Sequence, residues 1–177
     1  MGPVVRFEAC AARADTLDLG MTIVIDETVE VNAPHDIVWG VITDFRRYGE
    51  WNPFVVECDS TLKVGDPIVM RVHVFEAFAQ PQREIIFRHD PGRLFCYGVS
   101  GMPLGAMRSN RCHEVRSLNS ASSEYRSHFE LSGWLSPIVS GLVGRQLRRG
   151  FHAMTESIRT RSEQLARRST NPTDNRE

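Results

Sequence analysis

The last third of the chain carries the longest regular pattern of apolar and polar positions. Between residues 137 and 165 the apolar side chains recur at steps of three and four, the spacing of one face of an α-helix. This stripe consists of Ile138, Val139, Leu142, Val143, Leu147, Phe151, Met154, Ile158 and Leu165. Pro137 suits the first helical turn and Ser136 suits an N-cap. The pattern predicts a long amphipathic helix whose apolar face needs a partner surface.

Shorter elements precede this helix. Residues 22–31 alternate between apolar and polar and are rich in β-branched side chains, so they predict a strand. Residues 34–44, which open on Pro34, place apolar side chains at helical spacing and predict a short amphipathic helix. A second short helix is expected from Phe45 to Trp51, and Pro53 biases Asn52 away from helical angles.

The middle of the chain reads as a series of strands separated by turn sequences such as Gln80-Pro81 and Asp90-Pro91-Gly92. The predicted strands are 54–58, 68–75, 83–89, 94–99, 107–118 and 123–132. Short connections between successive strands favour an antiparallel meander. An antiparallel sheet and one long amphipathic helix bury their apolar faces together when the sheet curls around the helix, and apolar pockets often form between such layers. The expected class is therefore α+β.

Length and composition fit one domain. The chain has 177 residues, enough to bury a sizeable core without metals or disulfides. Residues 1–20 show no sustained period and are expected to form an N-terminal tail. The ligand-binding domain is predicted to cover residues 21–168, and residues 169–177 are expected to be a disordered C-terminal tail.

The charges suggest neither a nucleic-acid partner nor a membrane-surface patch. The net charge is −1, and the basic residues are scattered over every segment. No apolar run reaches the roughly 20 residues needed to span a bilayer, and the first residues lack the apolar core of a secretory signal. We therefore expect a cytoplasmic protein without integral membrane association, and the sequence leaves the oligomeric state open.

Cysteine and histidine spacings predict no metal site and no redox motif. Cys10, Cys58, Cys96 and Cys112 are widely spaced and form no C-x-x-C pair, so buried free thiols are expected. No two histidines have the spacing of a zinc site. We expect neither a metal nor a cofactor.

Strand alternation predicts which side chains face the pocket. The expected inward sets are Met70, Val72 and Val74; Ile85 and Phe87; Phe95, Tyr97 and Val99; Ser109, Arg111, His113 and Val115; and Tyr125, Ser127, Phe129 and Leu131, opposed by Leu147, Phe151 and Met154 of the helix. The residues predicted to bind the ligand are Trp51, Val72, Phe87, Tyr97, Arg111, His113, Tyr125, Ser127, Phe129, Phe151 and Met154. This mixture of apolar and polar groups suits a hydrophobic ligand with one polar or anionic end.

Two interpretations of Arg111 and His113 stay open at this point. In one, His113 exchanges a proton with the ligand while Arg111 holds a carboxylate or enolate oxygen. In the other, both side chains lie on the solvent face of the sheet.

Several stretches resemble the START-like superfamily, the polyketide cyclase/dehydrase and lipid-transport group also called SRPBCC. They include Ala33-Pro34, Thr43-Asp44-Phe45, Trp51-Asn52-Pro53, Ser132-Gly133-Trp134-Leu135 and Arg148-Arg149-Gly150-Phe151-His152. The resemblance covers residues 22–166 and implies the helix-grip fold. In that fold a seven-stranded antiparallel sheet and two short helices enclose a cavity capped by the long C-terminal helix.

The function expected from this resemblance and from the pocket is binding or transport of a small hydrophobic ligand, such as a lipid, a fatty acid or a polyketide-like aromatic. No nucleophile–base pair or phosphate loop is recognisable, and no catalytic residue is assigned, which favours binding over chemistry. One alternative is a polyketide cyclase/aromatase-type enzyme that acts mainly by positioning. Another is a partner-binding or stress-related module with a filled cavity.

Overall fold

The structure is a computed structural model that describes residues 22–75, 78–100 and 102–170. The predicted tail at residues 1–20 lies outside the described residues, as do residues 171–177. The last helix continues through residues 169 and 170, which the sequence analysis had assigned to the C-terminal tail.

The elements follow the predicted order. They are β1 (Ile23–Val31), α1 (His35–Thr43), a 3-10 turn (Phe45–Arg47), α2 (Tyr48–Trp51), β2 (Val55–Ser60), β3 (Pro67–Phe75), β4 (Phe78–Asp90), β5 (Leu94–Gly98), a 3-10 turn (Pro103–Gly105), β6 (Arg108–Ser117), β7 (Ser123–Ser132) and α3 (Ser136–Thr170). The strands form one antiparallel sheet in the order β1-β7-β6-β5-β4-β3-β2, and α3 packs against β1, β3, β7 and α1. The predicted α+β helix-grip fold is confirmed.

Strand β4 begins earlier than predicted. The sequence analysis placed a turn at Gln80-Pro81, but both residues pair with β3, and the strand starts at Phe78. Pairing between β4 and β5 starts only at Ile85, so residues 78–84 have β3 as their one strand neighbour. Pro81 therefore sits on a locally open edge, where its missing N–H costs no ladder hydrogen bond.

The predicted inward placement of Ile85 and Phe87 is wrong. Phe87 is 48% exposed and Ile85 is also exposed, whereas Ile86 between them is fully buried. A register shift between Ile86 and Arg88 leaves Phe87 as the additional residue of a bulge. Three consecutive apolar residues made the alternation ambiguous, and a slip of one residue exchanges the two faces of a strand.

Two of the four cysteines are not free thiols. Cys96 on β5 and Cys112 on β6 are direct cross-strand partners and form a disulfide. The expectation of buried free thiols is therefore wrong for this pair, while Cys58 is free and buried as expected. Cys10 lies outside the described residues. Disulfides persist mainly in oxidising compartments, so this pair argues against the predicted cytoplasmic localisation. The localisation itself stays a prediction.

One part of the core lies between the two short helices and the second half of α3. Val38, Ile42 and Ile158 are completely buried there. The Tyr48 hydroxyl donates a 2.7 Å hydrogen bond to the carbonyl of Ile42, which ties α2 to the end of α1. This packing holds one end of α3 firmly on the sheet and leaves the other end over a cavity. No helix in the described ranges is long and apolar enough to cross a membrane.

Candidate functional site

A cavity of about 350 Å³ lies between the first half of α3 and the concave face of the sheet. Its apolar wall includes Phe54, Val55, Met70, Val72, Val74, Val99, Met107, Phe129, Leu131, Val139, Val143, Leu147 and Phe151. The polar groups in the lining are Gln80, Gln82, Arg83, Glu84, Tyr97, Ser109 and Arg111. An apolar volume with a few convergent polar groups is the usual form of a small-molecule site.

Strands β6 and β7 set the polar floor of the cavity. Their side chains alternate strictly, so Ser109, Arg111, His113 and Val115 point inward opposite Tyr125, Ser127, Phe129 and Leu131, as predicted. The register pairs Arg111 with Phe129 and His113 with Ser127. Every second residue of both strands is buried, and this includes five polar side chains that an apolar core would normally exclude.

Arg111 is the dominant charge of the site. Its side chain is 2% exposed, Nη1 donates a 2.8 Å hydrogen bond to Ser127 Oγ, and Nη2 lies 3.9 Å from Met154 Sδ. The guanidinium carbon stands 4.3 Å from the centre of the Phe151 ring, a cation–π arrangement. Its Nε is buried without a hydrogen-bond partner. Among the described residues no carboxylate lies within ion-pair distance, so no direct ion pair neutralises this positive charge.

A short chain of polar rings lies beside Arg111. The Tyr125 hydroxyl is 2.7 Å from Nδ1 of His113, and the Tyr97 hydroxyl is 3.4 Å from its Nε2. Phe95 stacks on the imidazole with 4.7 Å between ring centres. Tyr97 lines the cavity, whereas His113 and Tyr125 lie behind it. The solvent-face interpretation of Arg111 and His113 is therefore wrong, and His113 reaches the cavity only through Tyr97.

Burial and the nearby guanidinium fix the protonation of these rings. Desolvation, reinforced by repulsion from Arg111, holds the pKa of His113 well below its usual range. The imidazole is therefore neutral, with one nitrogen that donates and one that accepts. Desolvation also raises the pKa of Tyr125 to about 12 and the pKa of Tyr97 further, so both phenols keep their protons at neutral pH.

Glu84 on β4 places an acid in the same cavity as Arg111. Burial raises the pKa of its carboxyl to about 7, and the attraction of Arg111 opposes that rise. One carboxyl oxygen, Oε2, is buried without a hydrogen-bond partner. Because this carboxyl is half protonated near neutral pH, it does not fully neutralise Arg111. Both groups line the same cavity, and each has an unsatisfied atom.

The structure gathers some of the predicted ligand-binding residues in the cavity wall and displaces others. Val72, Tyr97, Arg111, Phe129 and Phe151 line the cavity. A second group, buried around Arg111 and the imidazole, consists of His113, Tyr125, Ser127 and Met154. Phe87 points away from the cavity. The binding role of each residue stays a prediction.

Trp51 lies at a different site. It borders a groove of about 490 Å³ between α1, α2 and the end of α3, together with Asp44, Arg47, Arg161 and Leu165. The sequence analysis had included Trp51 among the residues predicted to bind the ligand. In the fold its ring packs against Tyr48, and Trp51 is not among the residues that line the cavity with Arg111.

The polar face of β4 was missed by the sequence analysis. Gln80, Gln82 and Glu84 all point inward, while Ile85 and Phe87 point out. A signal was present, because these three polar residues are spaced two apart and share a phase with buried Ile86. The prediction instead pointed the apolar side chains of Ile85 and Phe87 inward, because polar side chains rarely face the interior away from a binding site.

The arrangement combines three chemical capacities. Arg111 can bind an anionic oxygen in a desolvated setting, where electrostatic attraction is strong. Glu84, Gln80 and Gln82 can hydrogen-bond further polar groups of a ligand. The Tyr97 hydroxyl can donate to the ligand while His113 supports it from behind. In the part of the chain that the structure describes, no group of three His, Cys, Asp or Glu side chains could hold a metal.

Comparison with protein families gives one match. The model of the family described as polyketide cyclase / dehydrase and lipid transport matches residues 22–163, which span the sheet and most of α3. No curated protein matches the chain in sequence.

Solved structures resemble the fold at low sequence identity. A START superfamily protein from Mycobacterium smegmatis has a TM-score of 0.61 at 17% identity, covering 80% of this chain and 98% of its own. The Zhui aromatase/cyclase from a Streptomyces species has a TM-score of 0.62 at 14% identity, covering 87% and 99%. Norcoclaurine synthase from Thalictrum flavum, in complex with dopamine and hydroxybenzaldehyde, has a TM-score of 0.60 at 19% identity, covering 89% and 95%. At these identities the likeness establishes the fold alone.

Proposed function

Because the chain belongs to the polyketide cyclase / dehydrase and lipid transport family, we propose that it binds one small hydrophobic molecule with an anionic end in the cavity beneath α3. The observation that carries this proposal is the buried guanidinium of Arg111, which has no carboxylate within ion-pair distance among the described residues. The ligand supplies the missing negative charge.

The energetics of burial support an anionic ligand. Removing a charged group from water costs several kcal/mol unless a partner compensates it, and arginine does not lose its proton in proteins. Arg111 receives partial compensation from Ser127 and from the Phe151 ring, and its Nε receives none. A carboxylate, enolate or phenolate beside Arg111 would compensate the cost of burying its charge, and a neutral ligand would not.

The cavity shape limits the ligand further. Its volume of about 350 Å³ is at the lower end of the range for small-molecule sites, so a single compact molecule fits best. One wall is apolar and aromatic, while β4 offers Gln80, Gln82 and Glu84 on the other. A plain saturated chain would leave those polar groups unpaired, at a cost for each. Of the predicted ligand classes, this favours an oxygenated, polyketide-like aromatic acid over a simple fatty acid.

A matched pair of ligands tests the charge requirement. We expect 2-naphthoate to bind more tightly than 2-naphthalenemethanol in calorimetric titrations at about pH 6, where the acid is ionised and Glu84 is mostly protonated. Replacing Arg111→Met should weaken naphthoate binding by about 10- to 100-fold, the value of a hydrogen bond to a charged group, and leave the alcohol unaffected. Decanoate and 1-decanol extend the comparison to an aliphatic chain.

Arg71→Met is the control, because Arg71 lies on the outer face of β3 with its side chain half exposed. It should leave both affinities unchanged. Equal affinities of acid and alcohol for the wild-type protein, or an unchanged naphthoate affinity in the Arg111→Met variant, would contradict the proposal. Mass spectrometry of organic extracts from the purified protein complements the titrations, since a co-purified carboxylic acid would identify the natural ligand class.

A polyketide cyclase/aromatase-type activity is the second candidate, and the Tyr97–His113–Tyr125 chain favours it. A phenol that lines the cavity and is backed by a neutral imidazole can pass a proton, and Arg111 beside it can stabilise an enolate. The Streptomyces aromatase/cyclase and norcoclaurine synthase share this fold. If the protein is an enzyme, cyclisation of a model polyketide should fall strongly in the Tyr97→Phe and His113→Gln variants. Turnover that is absent, or insensitive to both changes, would leave binding as the function.

The alternative of a module with a filled cavity has less support. Its expected feature is a space plugged by side chains, and the volume beneath α3 counts against that. The absence of any thermal shift with a panel of aromatic and aliphatic acids would revive it.

A further inference from the structure

Seven large apolar side chains are exposed at one end of the molecule. Leu104 is 92% exposed, Leu142 70%, Trp134 58% and Ile138 57%. We name the full set the apolar rim: Phe75, Phe78, Met102, Leu104, Trp134, Ile138 and Leu142. Single exposed apolar residues are common on protein surfaces, but a contiguous group marks an interaction site.

Sheet topology places the members of the rim together. Because neighbouring strands are antiparallel, one end of the sheet collects several strand termini. They are the end of β3, the start of β4, the end of β5, the start of β6 and the end of β7. The rim residues belong to the turns that leave this edge and to the first turns of α3. The Leu135 amide donates a 3.0 Å hydrogen bond to the Ala106 carbonyl, and the Phe75 and Phe78 rings stack with 6.3 Å between centres.

This edge is also where the cavity approaches the surface. Phe75 of the rim lines the cavity, as do Val99, Met107, Val139 and Val143, which lie near rim residues in the sequence. The β4 segment before Ile85 has no β5 partner, so the sheet is locally open at this point. A molecule that leaves the cavity here passes directly between the exposed apolar side chains.

The loop that carries Leu104 holds its side chain outward. Leu104 has φ of +57°, in the left-handed region that residues with a Cβ rarely adopt, and it is the most exposed large apolar residue among those described. Gly105 follows with a positive φ, which completes the tight turn. A strained backbone that presents leucine to water is difficult to explain by packing within the fold.

Arginines accompany the rim on the same helix stripe. Ile138, Leu142, Arg145 and Arg149 recur at steps of four, three and four, so they lie along one face of α3. Arg145, Arg148 and Arg149 are exposed, and no carboxylate in the described parts of the chain pairs with them.

Acidic residues are rare around this face. Residues 98–113 and 131–155 contain no aspartate or glutamate, and by sequence Glu76 and Glu130 are the acids that lie nearest to residues of the rim. This end of the molecule is therefore both apolar and basic. Its electrostatic complement is a negatively charged surface.

We propose that the apolar rim docks the protein onto the surface of a lipid bilayer that contains anionic lipids. The rim side chains enter the headgroup and upper acyl region, and Arg145 and Arg149 contact the lipid phosphates. Arg145 follows Ile138 by seven residues, about 10 Å along a helix, which matches the depth to which interfacial elements insert. Tryptophan is enriched at this interface, in agreement with Trp134 in the rim.

Such docking would align the cavity mouth with the membrane, so that a hydrophobic ligand passes between bilayer and cavity without crossing water. The even spread of basic residues along the sequence argued against a membrane-surface patch, but that argument considered only order in the chain. Folding brings a basic and apolar subset to one end. The inference does not require the charge of the ligand proposed above, so the two can fail independently.

Vesicle binding of the full chain tests the proposal. We expect co-sedimentation with vesicles of phosphatidylcholine and phosphatidylglycerol, weaker binding to phosphatidylcholine alone, and a loss at high salt. Arg145→Gln with Arg149→Gln should lower binding to the anionic vesicles by about 20- to 30-fold, from about fivefold for each charge. Leu104→Ser with Leu142→Ser should lower it by at least about 10-fold on both vesicle types.

Matched controls on other faces separate docking from general stickiness. Phe87→Ser removes an aromatic side chain that is 48% exposed on the outer face of the sheet, and Arg168→Gln removes a charge from the far end of α3. Both variants should bind as the wild type does. Brominated lipids should quench Trp134 fluorescence, and this quenching should disappear in Trp134→Phe while vesicle binding persists in part. Because every altered side chain is exposed, thermal unfolding should change little.

Three results would overturn the proposal. One is no binding to anionic vesicles. Another is binding that the rim variants leave intact. The third is a wild-type dimer in sedimentation analysis that Leu104→Ser with Leu142→Ser converts to monomer, because the rim would then be an interface between two copies of the chain.

Discussion

The two halves of α3 belong to one continuous helix but have opposite surroundings. In residues 151–170 the helix buries Phe151, Met154 and Ile158, and three of its four arginines pair with acids: Arg159 with Glu156, Arg161 with Glu50 and Arg167 with Glu163. In residues 136–150 no described apolar side chain is fully buried, and the three arginines are unpaired within the described chain. A helix that only packed against the sheet would not need this change in burial and ion pairing between its two halves.

This contrast separates stability from function along the helix. The second half fixes α3 to α1, α2 and β1, whereas the first half covers the cavity with Val139, Val143 and Leu147 and presents Ile138 and Leu142 to solvent. An element anchored at one end can move at the other with little loss of buried surface. The first half is therefore suited to admit a ligand.

Truncating one apolar side chain in each half of α3 should give the largest difference in the free energy of unfolding. Ile158→Ala removes a completely buried side chain and should lower the free energy of unfolding by about 2–5 kcal/mol. Leu142→Ala removes a side chain that is 70% exposed and should change it by less than about 0.5 kcal/mol. Urea unfolding of the two variants measures both values. Similar losses in the two variants would mean that the first half is packed as tightly as the second.

Glycines of the same helix provide a second matched pair. A Cβ on Gly150 would lie 2.2 Å from ring atoms of Phe54, so Gly150→Ala must displace a buried aromatic and should cost about 1–3 kcal/mol. A Cβ on Gly141 meets nothing within 4 Å, and Gly141→Ala should stabilise by about 0.5–1 kcal/mol through helix propensity. Thermal melts of both variants would show shifts of opposite sign. A stabilised Gly150→Ala variant would show that Phe54 rearranges freely.

Glu84 should make stability depend on pH beneath the first half of α3. Its pKa is about 7 in the folded protein against 4.5 for an ordinary glutamate, so between these values the native state holds a proton that the unfolded chain has lost. The free energy of unfolding should therefore fall by about 1–3 kcal/mol as the pH rises from 4.5 to 7. Glu84→Gln should remove this decrease.

The pH dependence of unfolding in the wild type and in Glu84→Gln decides whether the pKa of Glu84 is raised. Parallel curves for the wild type and Glu84→Gln would show that the carboxyl titrates normally and is well solvated. The same titration predicts weaker binding of an anionic ligand above about pH 7, because the ionised carboxyl then competes with the ligand for Arg111. Glu84→Gln should bind 2-naphthoate with little change over this pH range.

Sequence alone predicted those parts of the site in which each strand had one self-consistent pattern. In β6 and β7 burial alternates from Ser109 to Val115 and from Ser123 to Leu131, and the chosen inward sets match this phase. For Arg111 and His113 the sequence had also left the solvent face open. In β4 the run Ile85-Ile86-Phe87 was compatible with either phase, and the bulge that decides it arises from pairing with β5. Local pattern cannot contain information about a neighbouring strand.

Other failures have the same origin in tertiary pairing. The disulfide joins Cys96 and Cys112 because two strands meet in one register, and their separation of 16 residues gives no hint of it. Arg111 lacks a direct ion pair for an equally non-local reason, since which carboxylates approach it depends on the packing of the sheet on α3. The fold was predictable from periodicity and resemblance, while the unpaired charges that indicate function emerge only in three dimensions.

Replacing one arginine in each half of α3 should have the smallest effect on stability. Arg161 Nη2 lies 2.8 Å from Glu50 Oε2 and joins α3 to α2, so Arg161→Ala should cost up to about 1 kcal/mol of stability. Arg149→Ala breaks no ion pair in the described chain and should be neutral within about 0.5 kcal/mol. The difference should shrink in high salt, which screens the pair. Denaturant titrations at low and high salt measure it, and a destabilised Arg149→Ala would show that this residue serves the fold and not a surface.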